Sequence, residues 1–211
     1  MLDLARVRQE YMRDGLDEKE LLADPLAQFA RWFENAQKAE LTMANAMSLA
    51  TVSPDGRPSS RVVLLKGVDN GGFVFYTNYD SRKGRELVGN AHASLLFAWL
   101  QLERQIRIDG TLSKVSATES DTYFATRPLG SRHAAIASPQ SEIIANRATL
   151  ESRFDEAART TGNAPQRPAH WGGYRLMPVE IEFWQGRENR LHDRLVYRKS
   201  AQGWTIERLA P

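Results

Sequence analysis

Residues 61–83 read RVVLLKGVDNGGFVFYTNYDSRK. The stretch predicts two apolar strands joined by a turn at VDNGG, where Asn and Gly tolerate the positive φ that tight hairpins need. Ordinary hairpins alternate charge on the solvent face. Here Arg61, Lys66, Arg82 and Lys83 instead stand at the ends of the apolar runs. An anion held at the strand ends would explain that placement, and so would chance. Arg61 and Lys66 are an odd number of residues apart, so a regular strand would point them to opposite faces. Either the strand bulges or the two serve different groups.

Working outward, AMSLATV (46–52), SPDGRP and SSRVVLLK (59–66) read as strand, turn, strand. SRKGRELVG (81–89) reads as a short helix, and HASLLFAWL and ERQIRIDGTLSKV as two further strands. Ser116 to Glu119 is a capping box opening a helix through Tyr123, stopped at Arg127-Pro128. A longer helix is expected from about 142 to 158. Strands return at GYRLMPVEIEFWQG (173–186), RLHDRLVYRK (190–199) and GWTIERL (203–209). Upstream, Asp24-Pro25 opens a helix whose Leu26, Phe29, Ala30 and Phe33 recur at helical spacing. Residues 1–20 lack a strong stripe and are expected to be mobile. Strands joined mainly by short turns, returning after a helical excursion, predict a mainly β fold with α: an antiparallel barrel with helices packed outside, in one domain over 1–211.

The composition narrows the functional classes. With 211 residues, 42% hydrophobic, the chain has material for one sizeable core. A formal charge of +2 argues against a general nucleic-acid or membrane-surface binder. Cysteine is absent, which removes disulfides, thiolate catalysis and cysteine-ligated metal, and the four histidines show no metal spacing. Charged residues from Asp3 to Arg13 interrupt any leader-like apolar core, and the run Leu95–Leu100 is too short to span a bilayer, so a cytoplasmic protein is expected.

Three clusters can carry chemistry. Ser81-Arg82-Lys83 lies where a strand gives way to a helix: it is either a phosphate site, built from helix-start N–H groups and two cations, or a solvated basic helix end. Arg190, His192 and Arg194 share one face if 190–199 is a strand. That row either defends an exposed edge or meets a flat anionic ligand, with Trp184 nearby to stack on a ring. Tyr123 and Arg127 share a helix face, followed by Ser131, and together make a reasonable phosphate grip. Ser138-Pro-Gln-Ser141 is an N-cap or a second anion site.

Taken in order, R-V-V-L-L-K (61–66), F-Y-T-N (75–78), S-R-K (81–83), L-E-R-Q (102–105), F-W-Q-G (183–186), R-L-H-D-R (190–194) and the final E-R-L-A-P resemble the pyridoxine (pyridoxamine) 5′-phosphate oxidase family. With Arg8-x-x-Tyr11 the likeness covers nearly the whole chain. It implies an FMN-binding split barrel and a homodimer with FMN at the interface. FMN would be held by Arg61, Val62, Val63, Leu64, Leu65, Lys66, Tyr76, Thr77, Arg82, Lys83, Gln105, Gln140, Ser141, Trp184 and Arg194. Substrate would meet Arg8, Tyr11, Lys66, Tyr123, Arg127, Ser131, Arg190 and His192, the last two as the catalytic pair that orients and polarises. The implied reaction oxidises pyridoxamine or pyridoxine 5′-phosphate with O2, releasing H2O2, with no metal, nucleic acid or membrane involved. The charges at the strand ends would then meet two phosphates, one of cofactor and one of substrate. The rival readings are another split-barrel flavin oxidoreductase, a non-enzymatic flavin, haem or pyridoxal-phosphate carrier, and a basic β-barrel that binds nucleic acid. Arg107 and Asp109, inside a strand, have no role in any of these.

Overall fold

The computed structural model describes residues 15–211. Arg8, Tyr11 and most of the 1–20 segment lie outside the described residues. The strands are β1 (Ala46–Val52), β2 (Pro58–Leu64), β3 (Gly67–Asp69), β4 (Gly72–Asn78), β5 (His92–Trp99), β6 (Arg104–Lys114), β7 (Trp171–Gln185), β8 (Asp193–Ser200) and β9 (Gly203–Arg208). The helices are α1 (Pro25–Lys38), α2 (Arg82–Gly89), α3 (Ala117–Thr126), α4 (Leu129–Ala137) and α5 (Arg147–Thr161). Strand order is β2-β1-β5-β6-β7-β4-β3, with β8 on β7 and β9 on β8. The fold is the mainly β, antiparallel split-barrel class with peripheral helices that the strand and turn pattern predicts.

The chain forms two compact units, the first from residues up to Leu49 with Ser94–Gly110 and Pro178–Pro211, the second from Ala50–Ala93 and Thr111–Met177. In the first unit α1 is capped as expected, the Asp24 carboxylate accepting from Leu26 N at 3.0 Å. Its buried face is rotated from the expected stripe: Gln28, Phe29, Trp32 and Ala36 are buried, whereas Ala30 is exposed. Aromatic packing accounts for the rotation. Trp32 meets Phe183 edge-on at 5.1 Å, Phe29 meets Phe97 at 5.1 Å, and Phe183 meets Tyr197 at 5.6 Å. Burying a tryptophan removes more apolar surface from water than burying an alanine, so it decides the facing.

In the second unit Asn70 and Gly71, at φ 46 and 78, form the tight turn that registers Asp69 against Gly72. β2 ends at Leu64, and the Lys66 amide donates to the Val74 carbonyl at 2.8 Å. Lys66 therefore lies beyond the strand carrying Arg61, and the parity of their spacing imposes nothing. Ser116 caps α3 through Glu119 N at 3.0 Å, as the capping box predicts. Pro128, read as a stop, is also the N-cap of α4, a helix with no apolar stripe strong enough to be seen in sequence. The next helix begins later than expected: Ser141 adopts φ 77, and Asn146 supplies the cap to Thr149 N at 2.9 Å.

The seat of α2 fixes where its N-terminus points. A Cβ at Gly84 would fall 1.9 Å from the Tyr79 carbonyl oxygen, so the first turn of α2 lies directly on the end of β4. Exchanging a helical glycine for alanine ordinarily stabilises by up to about 1 kcal/mol. At Gly84 the sign should reverse. Gly84→Ala is expected to destabilise by roughly 1–3 kcal/mol, the usual cost of overpacking, with Gly89→Ala, which meets only the Pro54 ring at 3.0 Å, a milder control. Urea unfolding of the two variants checks this.

Candidate functional site

The second unit holds a cavity of about 850 Å³ whose lining includes Arg61 to Leu64, Lys66, Tyr76, Thr77, Lys83, Tyr123, Arg127, Ser131, Gln140 and Trp171. Two anion-ready features face it. One is Lys83, whose buried ammonium donates to Thr77 Oγ1 at 3.0 Å, Ser81 Oγ at 3.1 Å and Gln140 Oε1 at 2.7 Å. All three partners are neutral. Burial, with the positive charge of Arg61 adding to it, lowers the Lys83 pKa to about 8. The ammonium stands at the N-terminus of α2, capped by Ser81, where the helix dipole favours an anion as well.

The other feature is Arg127. It is half-buried, its Nη1 is enclosed without a hydrogen-bond partner, and burial lowers its pKa. Its guanidinium carbon lies 4.5 Å over the Trp171 ring and 5.7 Å from the Phe124 ring. A buried donor left open is costly unless a ligand accepts from it. Tyr123 stacks on Tyr76 at 3.9 Å and 16° beside it, and burial, followed by the Glu119 charge, raises the Tyr76 pKa to about 12.

Arg61 and Arg82 are arranged differently. Arg61 donates to Thr51 Oγ1 and Ser59 Oγ, both at 2.5 Å, and lies 3.3 Å from the buried Glu86 carboxylate. Arg82 pairs with the same carboxylate at 2.8 Å. Burial would raise the Glu86 pKa, but hydrogen bonds from Thr51, Ser59 and Arg82, with the charge of Arg61, hold it down to about 2. Glu86, Thr51 and Ser59 went unremarked in the sequence, although Glu86 is four residues after Arg82 on a helix and so within pairing reach. Leu65 points into the core, and neither it, Arg82 nor Ser141 is among the residues lining this cavity.

In the first unit Gln105, Trp184 and Arg194 line a cavity of about 350 Å³ with Leu96, Arg107, Glu182 and Pro211. Trp184 and Arg194 are cross-strand partners between β7 and β8. The buried Glu182 carboxylate holds Arg194 at 2.6 Å and Arg107 at 3.0 Å. Arg107 also reaches Glu180 at 3.0 Å and Asp109 at 3.2 Å, so the two strand charges with no role in the sequence belong to this ionic cluster.

The expected strand face at 190–194 is corrected. After Gln185 pairs with Asp193 the chain must reverse, and Glu188–Arg190 form a 3-10 turn with Asn189 and Arg190 at φ 55 and 61. Two left-handed residues break the two-residue alternation, so Arg190, His192 and Arg194 do not share a strand face. His192 instead closes the turn: its Nδ1 accepts from Arg187 N at 3.1 Å, which leaves the ring proton on Nε2, and its ring lies 4.6 Å from Trp184. Desolvation, with Arg190 adding to it, lowers its pKa below the ordinary 6.5.

Comparison with known proteins identifies the family. The model of the family described as pyridoxamine 5′-phosphate oxidase matches residues 33–160, and that of the pyridoxine 5′-phosphate oxidase C-terminal dimerisation region matches 171–211. The chain is 58% identical over 214 aligned residues to a pyridoxine/pyridoxamine 5′-phosphate oxidase of Burkholderia cenocepacia, and 57% identical over 212 to one of Ralstonia pickettii. Both alignments cover all of both chains. Among solved structures it resembles PhzG from Burkholderia lata, crystallised with tetrahydrophenazine-1-carboxylic acid, at TM-score 0.89 and 34% identity, covering 94% of this chain and 98% of that one. A pyridoxamine 5′-phosphate oxidase-related, FMN-binding protein from Nostoc punctiforme, at TM-score 0.73 and 18% identity, covers 90% of this chain and 100% of that one and shares the fold. Among the described residues no helix is long and apolar enough to cross a membrane, and no cluster of side chains could hold a metal ion.

The lowered pKa of Lys83 gives the site a pH signature. A bound phosphate favours the ammonium, so affinity should fall as pH rises from neutrality through about 8, where free Lys83 loses its proton. Titrating flavin-free protein with FMN between pH 7 and 9.5 measures this. Lys83→Arg, which stays charged, should bind with little dependence on pH over that range.

Proposed function

The chain belongs to the pyridoxamine 5′-phosphate oxidase family, and from that premise we propose that it oxidises pyridoxine and pyridoxamine 5′-phosphates at the 4′ carbon to pyridoxal 5′-phosphate, using FMN and O2, as a homodimer. The observation that carries this reading is one cavity with two grips for anions, the neutral-partnered Lys83 ammonium and the open Arg127 guanidinium. One phosphate belongs to the cofactor and the other to the substrate. An enzyme acting on an unphosphorylated substrate would have no use for the second.

Lys83, Arg82, Arg61, Thr77 and Gln140 would hold the FMN phosphate, the Glu86 carboxylate keeping the two arginines in place. Gln105, Trp184 and Arg194 are assigned to the flavin ring. Bound FMN would supply the two-electron acceptor, which O2 reoxidises with release of H2O2. For the alcohol, the 4′ carbon loses a hydride and its hydroxyl a proton. For the amine, the same oxidation is followed by water attack and release of ammonia. Lys66, Tyr123, Arg127 and Ser131 would grip the substrate phosphate, converting its binding energy into alignment of the reacting carbon. His192, neutral at pH 7 with its proton on Nε2, would donate to the substrate, and Arg190 would orient it. Arg8 and Tyr11 complete the proposed substrate set.

Two sets of variants test the division. Arg82→Ala and Lys83→Ala should each weaken FMN retention by about 1.5–3 kcal/mol, the worth of a charge-assisted contact. Arg127→Ala should stay flavin-loaded with a raised KM for pyridoxine 5′-phosphate, and release of FMN from that variant would overturn the assignment. For the catalytic pair, Arg190→Ala should fold and stay yellow yet lose on the order of a hundredfold in kcat/KM through misalignment. His192 sets the acid limb. Because protonation removes the Nδ1 acceptor and burial lowers the folded pKa below the ordinary 6.5, activity should hold through pH 6.5 and fall only at lower pH. Peroxide release followed against pH, with light scattering on the same samples for the dimer mass, gives the readout.

A further inference from the structure

Several arginines of the second unit are held by carboxylates. Arg61 and Arg82 face Glu86, Arg175 faces Asp69 and Glu119 at 2.5 and 2.8 Å, and Arg167 faces Asp121 at 2.6 Å. Each of these guanidiniums is ion-paired with a carboxylate that positions it, Arg61 and Arg82 sharing one. Arg127 is different, because the contacts its guanidinium makes are with the faces of Trp171 and Phe124. Arg127 is also the C-cap of α3, at φ −71 and ψ 147, so its backbone has already left the helix. A π face orients a guanidinium without neutralising it and without occupying its in-plane N–H donors. The enclosed, unpartnered Nη1 is the consequence.

Trp171 itself is built in. It is 6% exposed, opens β7, and meets Phe124 edge-on at 5.1 Å. Tyr76 and Tyr123 lie nearly parallel to it, at 12° and 6°, with centroids 5.6 and 6.2 Å away. Gly173 makes this stack possible: it is the cross-strand partner of Tyr76, and a Cβ there would fall 2.8 Å from the Tyr76 ring. One indole therefore underlies both Tyr123 and Arg127, two of the groups assigned to the substrate phosphate.

We propose that Trp171 is the positioning residue that sets selectivity for phosphorylated substrates, its ring holding the Arg127 guanidinium in place while leaving its charge free for the phosphate. The inference rests on the reading of Arg127 as a substrate-phosphate ligand, and the test separates the two.

Flavin-loaded Trp171→Leu, Trp171→Phe, Arg127→Ala and the Trp171→Leu/Arg127→Ala double variant are compared. Steady-state kinetics use pyridoxine 5′-phosphate and unphosphorylated pyridoxine, and calorimetry measures binding of pyridoxal 5′-phosphate. Trp171→Leu should raise KM and the dissociation constant for the phosphorylated compounds roughly tenfold, as loss of a desolvated cation–π contact implies, while Trp171→Phe recovers to within about threefold of wild type. The preference for phosphorylated over unphosphorylated substrate should fall by the same factor in Trp171→Leu, with flavin content unchanged. The double variant should bind no more weakly than Arg127→Ala to within about twofold, since Trp171 acts through Arg127. Additive losses, or a fall in kcat at unchanged KM, would overturn the proposal. If Trp171→Leu loses its flavin, the same cycle run with Trp171→Phe decides by the same additivity rule. If Arg127→Ala leaves phosphate binding intact, the reading of Arg127 fails and this inference with it. If Arg127→Ala weakens binding and Trp171→Leu does not, this inference alone fails.

Discussion

The second unit depends on how one buried carboxylate divides its cations. Glu86, 4% exposed, accepts from Thr51, Ser59, Arg61 and Arg82, and so draws together β1, β2 and the first turns of α2. A charge taken out of water must be matched, and here two guanidiniums and two hydroxyls match it. Lys83, adjacent in sequence to Arg82, turns the other way and finds only neutral acceptors. The neighbouring side chains Arg82 and Lys83 thus differ in their partners, one paired with the buried carboxylate and the other held by neutral acceptors at the cavity.

The same division recurs in the first unit with other residues. Glu182 is buried between Arg107 and Arg194, while Arg194 also donates to the Ala210 carbonyl at 3.0 Å. Asp193, beside Arg194 in β8, accepts from Leu16 N at 2.9 Å and pairs with Arg208 at 2.6 Å, tying two distant parts of the chain to the turn that carries Arg190 and His192. Carboxylates in both units act as fixed anchors for arginines, among them the cavity-lining Arg61, Arg107 and Arg194. Arg127 is held differently. Aromatic faces anchor it, and its charge stays available.

Geometry also explains the roles of two glycines. At Gly84 and Gly173 the missing side chain lets another group come closer than any Cβ would allow: the Tyr79 carbonyl in one case and the Tyr76 ring in the other. Both closures shape the same cavity. The first sets where α2 begins, and therefore where Lys83 stands. The second lets Tyr76 lie flat beneath Tyr123 and beside Trp171.

The sequence by itself determined most of the strands, though not β3 or where β8 begins, together with the hairpin turn at Asn70-Gly71, the helix starts at Asp24, Ser81 and Ser116, and the residue types placed near the site. Those features are local: alternation, capping and turn chemistry act within a few residues, so they can be read along the chain. The family likeness extended that reading to individual positions. Only the tertiary structure decided that Arg61 and Arg82 share Glu86, that Arg107 belongs to an ionic cluster, that Arg190 sits in a left-handed turn outside any strand, and that Trp171 underlies Arg127. Each of these depends on which distant carboxylate, backbone or ring comes within about 3–6 Å, the range over which hydrogen bonds and cation–π contacts act. Residues 44 positions apart, such as Arg127 and Trp171, meet only because β7 lies beside β4 and α3 packs against its start. Chain spacing carries no record of that encounter.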